Sequence, residues 1–330
     1  MDHSTHPPAL IALDWGTSSL RAYLMDSAGC IIDTRRAGHG IQHLPPAPTR
    51  GEAFAAAFAS IIEPWRQRAP RVPKVACGMV GSAQGWREAP YASCPADLSA
   101  IARRAVQIEC GEGEVLHIVP GVMCDAAGTP PDVMRGEETQ IFGALAMVPE
   151  LAKGACLLMP GTHSKWVGMA QGYLAAFSTY MTGELYAVLS AHSTLGLMME
   201  EGPADIDGGA FEQGVQAARQ ALPGDLPHQL FAVRTLGLTA RLQRGELGNY
   251  LSGLLIGHEI TSGLQRNASL LASGAPLVLV GEPALCQRYT RALQWLGGPA
   301  PLSLDHAAPR GLWAVAQAAG LLSEEVGHEQ

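Results

Sequence analysis

Ile11-Ala12-Leu13-Asp14-Trp15-Gly16-Thr17-Ser18-Ser19-Leu20-Arg21-Ala22-Tyr23-Leu24-Met25-Asp26 reads as two short apolar strands joined by a tight polar turn. Gly16 suits the turn because it lacks a Cβ and tolerates positive φ. Backbone N–H groups and the hydroxyls of Thr17 and Ser18 can close around an anion, and Arg21 stands just beyond. Asp14, at the end of the first strand, is placed to hold a cation or to orient a nucleophile. A phosphate-binding hairpin working with Mg²⁺ fits this pattern. An ordinary hairpin with a Gly-Thr-Ser turn fits it too, because a motif this short recurs without function.

The flanking sequence extends the hairpin to a meander, with strands expected over 10–14, 20–26 and 30–37. Doubly wound nucleotide folds begin β-α-β instead. A helix is expected over 51–68 from the apolar spacing of Phe54, Phe58, Ile61, Ile62 and Trp65, and a strand over 74–79. The loop Gly78–Tyr91 carries Ser82, Gln84 and Trp86 at the C-terminal end of that strand, where α/β proteins put ligands. These three residues suggest a surface for a polyol or sugar acid; a glycine-rich connector with one packed Trp is the plainer alternative. A helix is expected over 95–107, a strand over 115–119 and a turn-rich loop over 120–131. Val133–Met147 reads as a helix whose first turn holds Glu137 and Glu138. Acids are favoured there by the helix dipole; one of them could also be a general base, and Arg135 could bind a carboxylate or phosphate.

After Pro149 the pattern restarts. An apolar strand over 155–159 runs into Pro160-Gly161-Thr162-His163-Ser164-Lys165-Trp166, and two more strands follow. Gly161, Thr162, His163 and Lys165 thus repeat Gly16, Thr17, Ser18 and Arg21. Two such hairpins, one per domain, could clamp a triphosphate from both sides. Thr182 and Glu184 are read as caps of a helix from Thr179 to His192. Helices are expected over 211–222, 227–242 and 246–265. Glycines in the last of these, including Gly253 and Gly257, suggest close approach of another backbone. Strand 276–282 ends in Gly281 before a helix over 284–296, a common junction that can serve as an adenosine-binding step. A short strand over 302–304 and a helix over 307–322 follow, and the polar tail Ser323–Gln330 is expected to fray. The expected domains are 1–148 and 149–330.

Composition narrows the function. The 330 residues carry 22 Lys and Arg against 30 Asp and Glu, a formal charge of −8, which disfavours a nucleic-acid binder but not a local anion site. Seven widely spaced cysteines without a C-x-x-C pair suit reduced thiols in a cytoplasm. The first eight residues lack a basic n-region and an apolar h-region, so no secretory signal is expected. No apolar run reaches the roughly 18 residues of a membrane span.

Asp14-Trp15-Gly16-Thr17-Ser18 resembles the first phosphate motif of the superfamily of actin, heat-shock chaperone ATPases and sugar kinases. Gly78–Ser82, Gly85-Trp86, Ala89–Tyr91, Val133–Gln140, Met159–Val167, Met181–Leu185 and Leu251–Gly257 are similar to the bacterial 2-dehydro-3-deoxygalactonokinases. The likeness runs from about Leu10 to about Gly320.

The resemblance implies an α/β protein of two ribonuclease-H-like domains with a cleft between them. It implies ATP-dependent phosphorylation of 2-dehydro-3-deoxy-D-galactonate at O6, in D-galactonate breakdown. Many sugar kinases of the superfamily have an Asp before the second Gly-Thr; here Pro160 stands next to Gly161, so the base comes from elsewhere. Gly136-Glu137-Glu138 resembles the glutamate-bearing helix start of exopolyphosphatases, which makes Glu138 the first candidate base and Glu137 the second. Asp14 would hold Mg²⁺, Lys165 or Arg21 would steady the developing charge, and Ser82, Gln84, Trp86 and Arg135 would take the sugar acid. The partners expected are a small sugar acid and ATP, with no nucleic acid and no membrane; a homodimer is left open. The alternatives are a phosphatase or exopolyphosphatase of the same fold, a kinase for another 2-keto-3-deoxy sugar acid, and an ATP-binding regulator without turnover.

Overall fold

An apolar strand starts the described chain. In β1 (Pro8–Trp15) Ile11, Leu13 and Trp15 join one buried cluster with Phe54, Phe58, Ile61, Ile62 and Trp65 of α1 (Arg50–Arg66). Leu10, Ala12 and Asp14 therefore point to the opposite face of the sheet. The computed structural model describes residues 6–111, 113–202 and 209–322. The described parts of 1–152, 171–176 and 306–330 form one compact unit, and those of 153–170 and 177–305 form a second.

In the first unit β1 pairs antiparallel with β2 (Leu20–Asp26), which pairs with β3 (Ile31–Ala37). β4 (Lys74–Cys77) lies parallel to β1. β5 (Ala92–Ser93), α2 (Leu98–Ala102), β6 (Val106–Glu109), β7 (Val115–Ile118), β8 (Val122–Cys124), β9 (Asp132–Met134) and α3 (Glu137–Met147) follow. The main sheet runs β3-β2-β1-β4-β7-β6, and β5-β8-β9 form a small second sheet.

Two expectations fail here. The helix expected over 95–107 shrinks to α2, because Val106 and Ile108 alternate with polar residues and pair antiparallel with β7; partial burial on a sheet outweighs helical propensity. The expected helix over 133–147 likewise starts only at Glu137, since Val133 and Met134 pair with β8.

The five-stranded sheet repeats the plan, with 171–176 at its edge grouped with the first unit. β10 (Gly154–Met159), β11 (Ser164–Ala170) and β12 (Tyr173–Tyr180) form a meander. α4 (Thr182–His192), α5 (Gly209–Arg219), α6 (Leu226–Leu238), α7 (Leu247–Arg266) and α8 (Ala268–Ala272) come next. β13 (Leu277–Val280), α9 (Pro283–Leu296) and β14 (Leu302–Leu304) complete the unit. The sheet order β12-β11-β10-β13-β14 matches β3-β2-β1-β4-β7 strand for strand, including the two parallel steps. This is the duplicated ribonuclease-H-like plan expected above. The glycines of α7 act as expected: a Cβ on Gly253 would sit 2.0 Å from the Phe211 carbonyl oxygen of α5.

The last helix, α10 (Ala307–Ala318), packs on α3, α2, β1 and β4 of the first unit. A boundary at 148/149 assigns it to the second domain; its contacts assign it to the first. The reason is the exposed face of the first sheet: α10 covers the side on which Leu10 and Ala12 are buried. Ser323–Gln330 lies outside the described residues.

Candidate active site

The first hairpin closes through Gly16 N–H, which donates to the Ser19 carbonyl at 3.0 Å. Ile41 and Gln42 N–H donate to the Gly16 and Thr17 carbonyls at 3.1 Å each, and Trp15 Nε1 donates to the His39 carbonyl at 2.8 Å. The turn is thereby held from behind, while Thr17 and Ser18 stay exposed. Asp14 pairs in register with Arg21 on β2. Burial raises the Asp14 carboxyl above its usual range; the Arg21 charge opposes this and the Glu137 charge adds to it.

Three segments converge on Asp14. Gly78 (φ +91°) ends β4, and a Cβ there would lie 2.7 Å from the Trp15 carbonyl oxygen. Gly136 (φ +108°) precedes α3, and its Cβ would lie 3.2 Å from the Gly78 Cα. Only glycine takes both positive φ and this closeness without strain. The bend brings both acids back over the start of α3. Glu137 Oε2 accepts from Arg135 N–H at 3.1 Å, and Glu138 Oε2 accepts from Gly136 N–H at 2.6 Å. Thr139 Oγ1 donates to Glu138 Oε1 at 3.0 Å.

The two glutamates are not equivalent. Glu138 is 0 % exposed. Burial, then the neighbouring Glu137 charge, push its carboxyl up to about 8, against hydrogen bonds that favour the ionised form. Glu137 is only half-buried, and its charge reaches both Asp14 and Glu138. Glu137 is thus the more accessible of the two carboxylates and Glu138 the buried one.

The sugar-acid candidates separate in the same way. Trp86 is partly buried and packs against the first unit's core. Its ring stacks on Phe54 at 5.9 Å and meets Trp15 at 6.0 Å and Phe58 at 5.8 Å. The loop folds back because Trp86 N–H donates to the Val80 carbonyl at 2.9 Å, so the side chain enters the core. Ser82 Oγ donates to the Met79 carbonyl at 2.8 Å and closes the loop's own turn. Gln84 is exposed and lines a groove of about 540 Å³ with Ile41, Gln42, Arg50, Ala83 and Gly85. Arg50, which the sequence reading did not single out, donates to the Gln84 carbonyl at 2.7 Å and to that of Ile41 at 3.0 Å. Arg135 lies 4.4 Å over the Tyr91 ring and donates through Nη2 to the Ala89 carbonyl at 2.8 Å. Its Nε and Nη1 are buried without a hydrogen-bond partner. Leaving charged donors unpaired costs more than an average hydrogen bond returns.

In the second unit Met159 pairs with Lys165, the register that Asp14 and Arg21 hold in the first. The acid of the first hairpin therefore has a methionine as its counterpart. Lys165 is 3 % exposed and donates to the His163 carbonyl at 3.2 Å, so it stiffens the turn from within. His163 pairs with Glu184 of α4. Thr182 and Glu184 do not cap α4: Glu184 is engaged by His163, and Thr182 turns to Glu259. A Cβ on Gly183 would meet the Gly161 carbonyl oxygen at 2.5 Å, which explains the glycine at the tightest contact of helix and turn.

Beside this hairpin lies a cavity of about 530 Å³. Gly161, Thr162, Thr182, Tyr186, Arg288 and Tyr289 are among its lining residues. Gly281 is not: the strand-to-helix junction reaches the cavity through Glu282, whose carboxylate accepts from Ala284 and Leu285 N–H and so caps α9. Tyr289, which lines the cavity, and Glu259, which accepts from its hydroxyl, were not singled out in the sequence. The available signal was an acid at the i+4 position from Leu255, on the buried stripe of α7.

Two ribonuclease-H-like units, each with a Gly-Thr hairpin at the end of its first strand, define the class of actin-like ATPases and sugar kinases. Within that class the chain belongs to the 2-keto-3-deoxy-galactonokinase family, whose family model matches residues 14–315. It is 37 % identical over 289 residues to the 2-dehydro-3-deoxygalactonokinase of Escherichia coli (strain K12), covering 87 % of this chain and 90 % of that one. It is 36 % identical over 313 residues to a provisionally named 2-dehydro-3-deoxygalactonokinase of Rhizobium meliloti (strain 1021), covering 93 % and 96 %. The crystal structure of another provisionally named member, from Sinorhizobium meliloti, superposes with a TM-score of 0.79 at 33 % identity, covering 94 % of this chain and 98 % of that one.

Proposed function

We propose that this kinase transfers the γ-phosphoryl group of ATP to the O6 hydroxyl of 2-dehydro-3-deoxy-D-galactonate, a step of D-galactonate breakdown. The observation that carries the reading is the meeting of Asp14, Glu137 and the Gly16–Ser18 turn in one unit of a family member. Phosphoryl transfer needs alignment and charge neutralisation more than covalent chemistry. In this reading the N–H groups and hydroxyls of Gly16, Thr17 and Ser18 are the phosphate-binding groups of the first unit, and those of Gly161 and Thr162 are those of the second. The nucleoside occupies the cavity beside Tyr186, Arg288 and Tyr289. Glu137 takes the O6 proton as the oxygen attacks the γ-phosphorus and ADP departs with the bridging oxygen. Such general-base help is worth about 10²–10⁴-fold.

The donor chemistry suits Mg²⁺, which is bound by one or two carboxylates together with waters and substrate phosphates. Asp14 is the residue that would hold it, and the raised carboxyl of Asp14 is what a cation would relieve. When bound, Mg²⁺ supplies neutralisation of the phosphate oxygens. Asp14→Ala should lose Mg-ATP turnover by at least about a hundredfold while still binding the sugar acid. Undiminished turnover at ordinary Mg²⁺ would remove Asp14 from this role.

Arg135 is the proposed carboxylate ligand, since its two unpaired donors match a planar acceptor. Arg135→Lys should raise the KM for the sugar acid about tenfold or more, with the KM for ATP nearly unchanged; loss of one bidentate charged contact is worth roughly 1.5–3 kcal/mol. An unaltered sugar-acid KM would refute it.

The reading as a whole is tested by coupled ADP release across several 2-keto-3-deoxy sugar acids. ADP release should need an acceptor, and the galactonate derivative should give the highest kcat/KM. Equal ADP release without acceptor would replace the kinase by a phosphatase. A cytoplasmic location belongs to the same proposal and is supported by the wide spacing of the seven cysteines, with no C-x-x-C pair. So does action without nucleic acid or membrane; among the described residues no helix is long and apolar enough to cross a membrane. A homodimer is the assembly to test by light scattering.

A further inference from the structure

Glu259 is 3 % exposed in α7, directly behind the second hairpin. Its Oε1 accepts from Trp166 Nε1 at 3.0 Å, and its Oε2 accepts from the Tyr289 hydroxyl at 2.6 Å. The hydroxyls of Thr182 and Ser164 also bond to it. All four partners are neutral. Burying a carboxylate is costly even when it is hydrogen-bonded, and a well-packed apolar side chain in its place is often no less stable. Stability alone is thus a poor reason for an acid at this position.

The partners supply a better one. Trp166 and Ser164 are on β11, Thr182 opens α4, and Tyr289 is on α9. One carboxylate therefore ties α4 and α9, which wall the 530 Å³ cavity, to α7, which also lines it, and to β11 next to the turn. The tie continues to the turn itself. The Tyr289 hydroxyl lies 3.1 Å from Ser164 Oγ, which accepts from Gly161 N–H at 3.4 Å. Trp166 is seated against Gly263 of the same helix, where a Cβ would come within 2.2 Å of the ring. The anchor at the far end of the network is accordingly rigid.

We propose that Glu259 is a positioning residue of the nucleotide pocket: its carboxylate locks Ser164, Thr182 and Tyr289 in the orientation that aims the Gly161–Thr162 turn at the phosphates of ATP. Because a negative charge beside a triphosphate is unfavourable in itself, Glu259 acts through geometry rather than through its field. The inference rests on the assignment of ATP to this cavity. It adds a residue that touches neither substrate.

Glu259→Leu keeps the volume and deletes the acceptor. Its KM for ATP should rise at least about tenfold, the loss expected for hydrogen bonds to a charged group, and titration calorimetry with a non-hydrolysable ATP analogue should show the same weakening. The KM for the sugar acid should stay within about twofold. Glu259→Gln should recover most of the ATP affinity, because its amide oxygen accepts from Trp166 and its NH₂ donates to the Tyr289 oxygen. An unchanged KM for ATP in Glu259→Leu would overturn the proposal. So would a parallel loss of both KM values and of thermal stability that Glu259→Gln does not rescue. Should Glu259→Leu not fold, Ser164→Ala decides, since it removes the link from Tyr289 to the turn: a selective rise in the KM for ATP supports the proposal, and no change overturns it. The wild-type enzyme is the control for the underlying assignment. If it transfers phosphate but Tyr289 and Arg288 show no protection or quenching on adding the analogue, the nucleotide lies elsewhere and both readings fall.

Discussion

Glu137→Gln should lower kcat by at least about a hundredfold while leaving the KM for ATP within about twofold. The amide keeps the size of the side chain and can still accept from Arg135 N–H, so α3 starts as before and the nucleotide site is untouched. What is lost is the basic oxygen at the accessible edge of the cluster. Glu138→Gln should behave in the opposite way. With its carboxyl pushed up to about 8, Glu138 is already mostly neutral at pH 7, and the amide replaces a protonated acid. Its kcat should stay within a few-fold of wild type. Reversed results, with Glu138→Gln inactive and Glu137→Gln near normal, would return the base to Glu138.

The same pair has a signature in stability. A carboxyl whose folded-state value lies above its unfolded one favours folding fully below the ordinary value of 4.5, and that contribution is lost as pH rises through about 8. Wild type should therefore lose melting temperature relative to Glu138→Gln between pH 5 and pH 9. Melting curves that stay parallel over this window would show that Glu138 titrates normally.

Gly311→Ala should destabilise the first unit by about 3 kcal/mol or more, the upper range for overpacking a dense contact. A Cβ at Gly311 would lie 1.8 Å from the Thr139 carbonyl oxygen, and one at Gly143 would lie 1.9 Å from that of Ala307. In both pairs the obstruction is backbone, so no rotamer change relieves it. α3 and α10 must move apart, and Thr139 is the neighbour of Glu138. The variant should thus lose activity as well as melting temperature, since a displacement of about 1 Å at a catalytic group can cost 10²-fold. A Gly311→Ala protein with unaltered melting and kcat would mean that the two helices are loosely packed.

Much of this was legible because it is local. The apolar strands and polar turns of residues 10–37, the repeat of that pattern after Pro149 and the Gly-Thr turns are written in neighbouring residues, and those strands formed where expected. The close approach at the α7 glycines was also legible, since a glycine inside a helix weakens it without a packing reason. For Trp86 the sequence left a ligand surface and a packed ring both open, because nothing in a loop sequence states which way a ring turns. Phe54, Phe58 and Trp15, distant in sequence, are the rings it packs against. The helix expected over 95–107 was misread for a similar reason: β7 recruits Val106 and Ile108 as its partners.

By itself the sequence determined the strand–turn–strand units, their duplication, and the set of carboxylates, hydroxyls and basic side chains available for phosphoryl transfer. Only the tertiary structure decided which of two adjacent glutamates is buried and which stays partly exposed. That difference is set by the bend at Gly136, by Gly78 beneath it and by the segments beyond. It likewise decided that the final helix belongs to the first unit, and that Glu259 stands behind the second hairpin. These are contacts between residues far apart in the chain, and their energies exist only once the chain has brought them together.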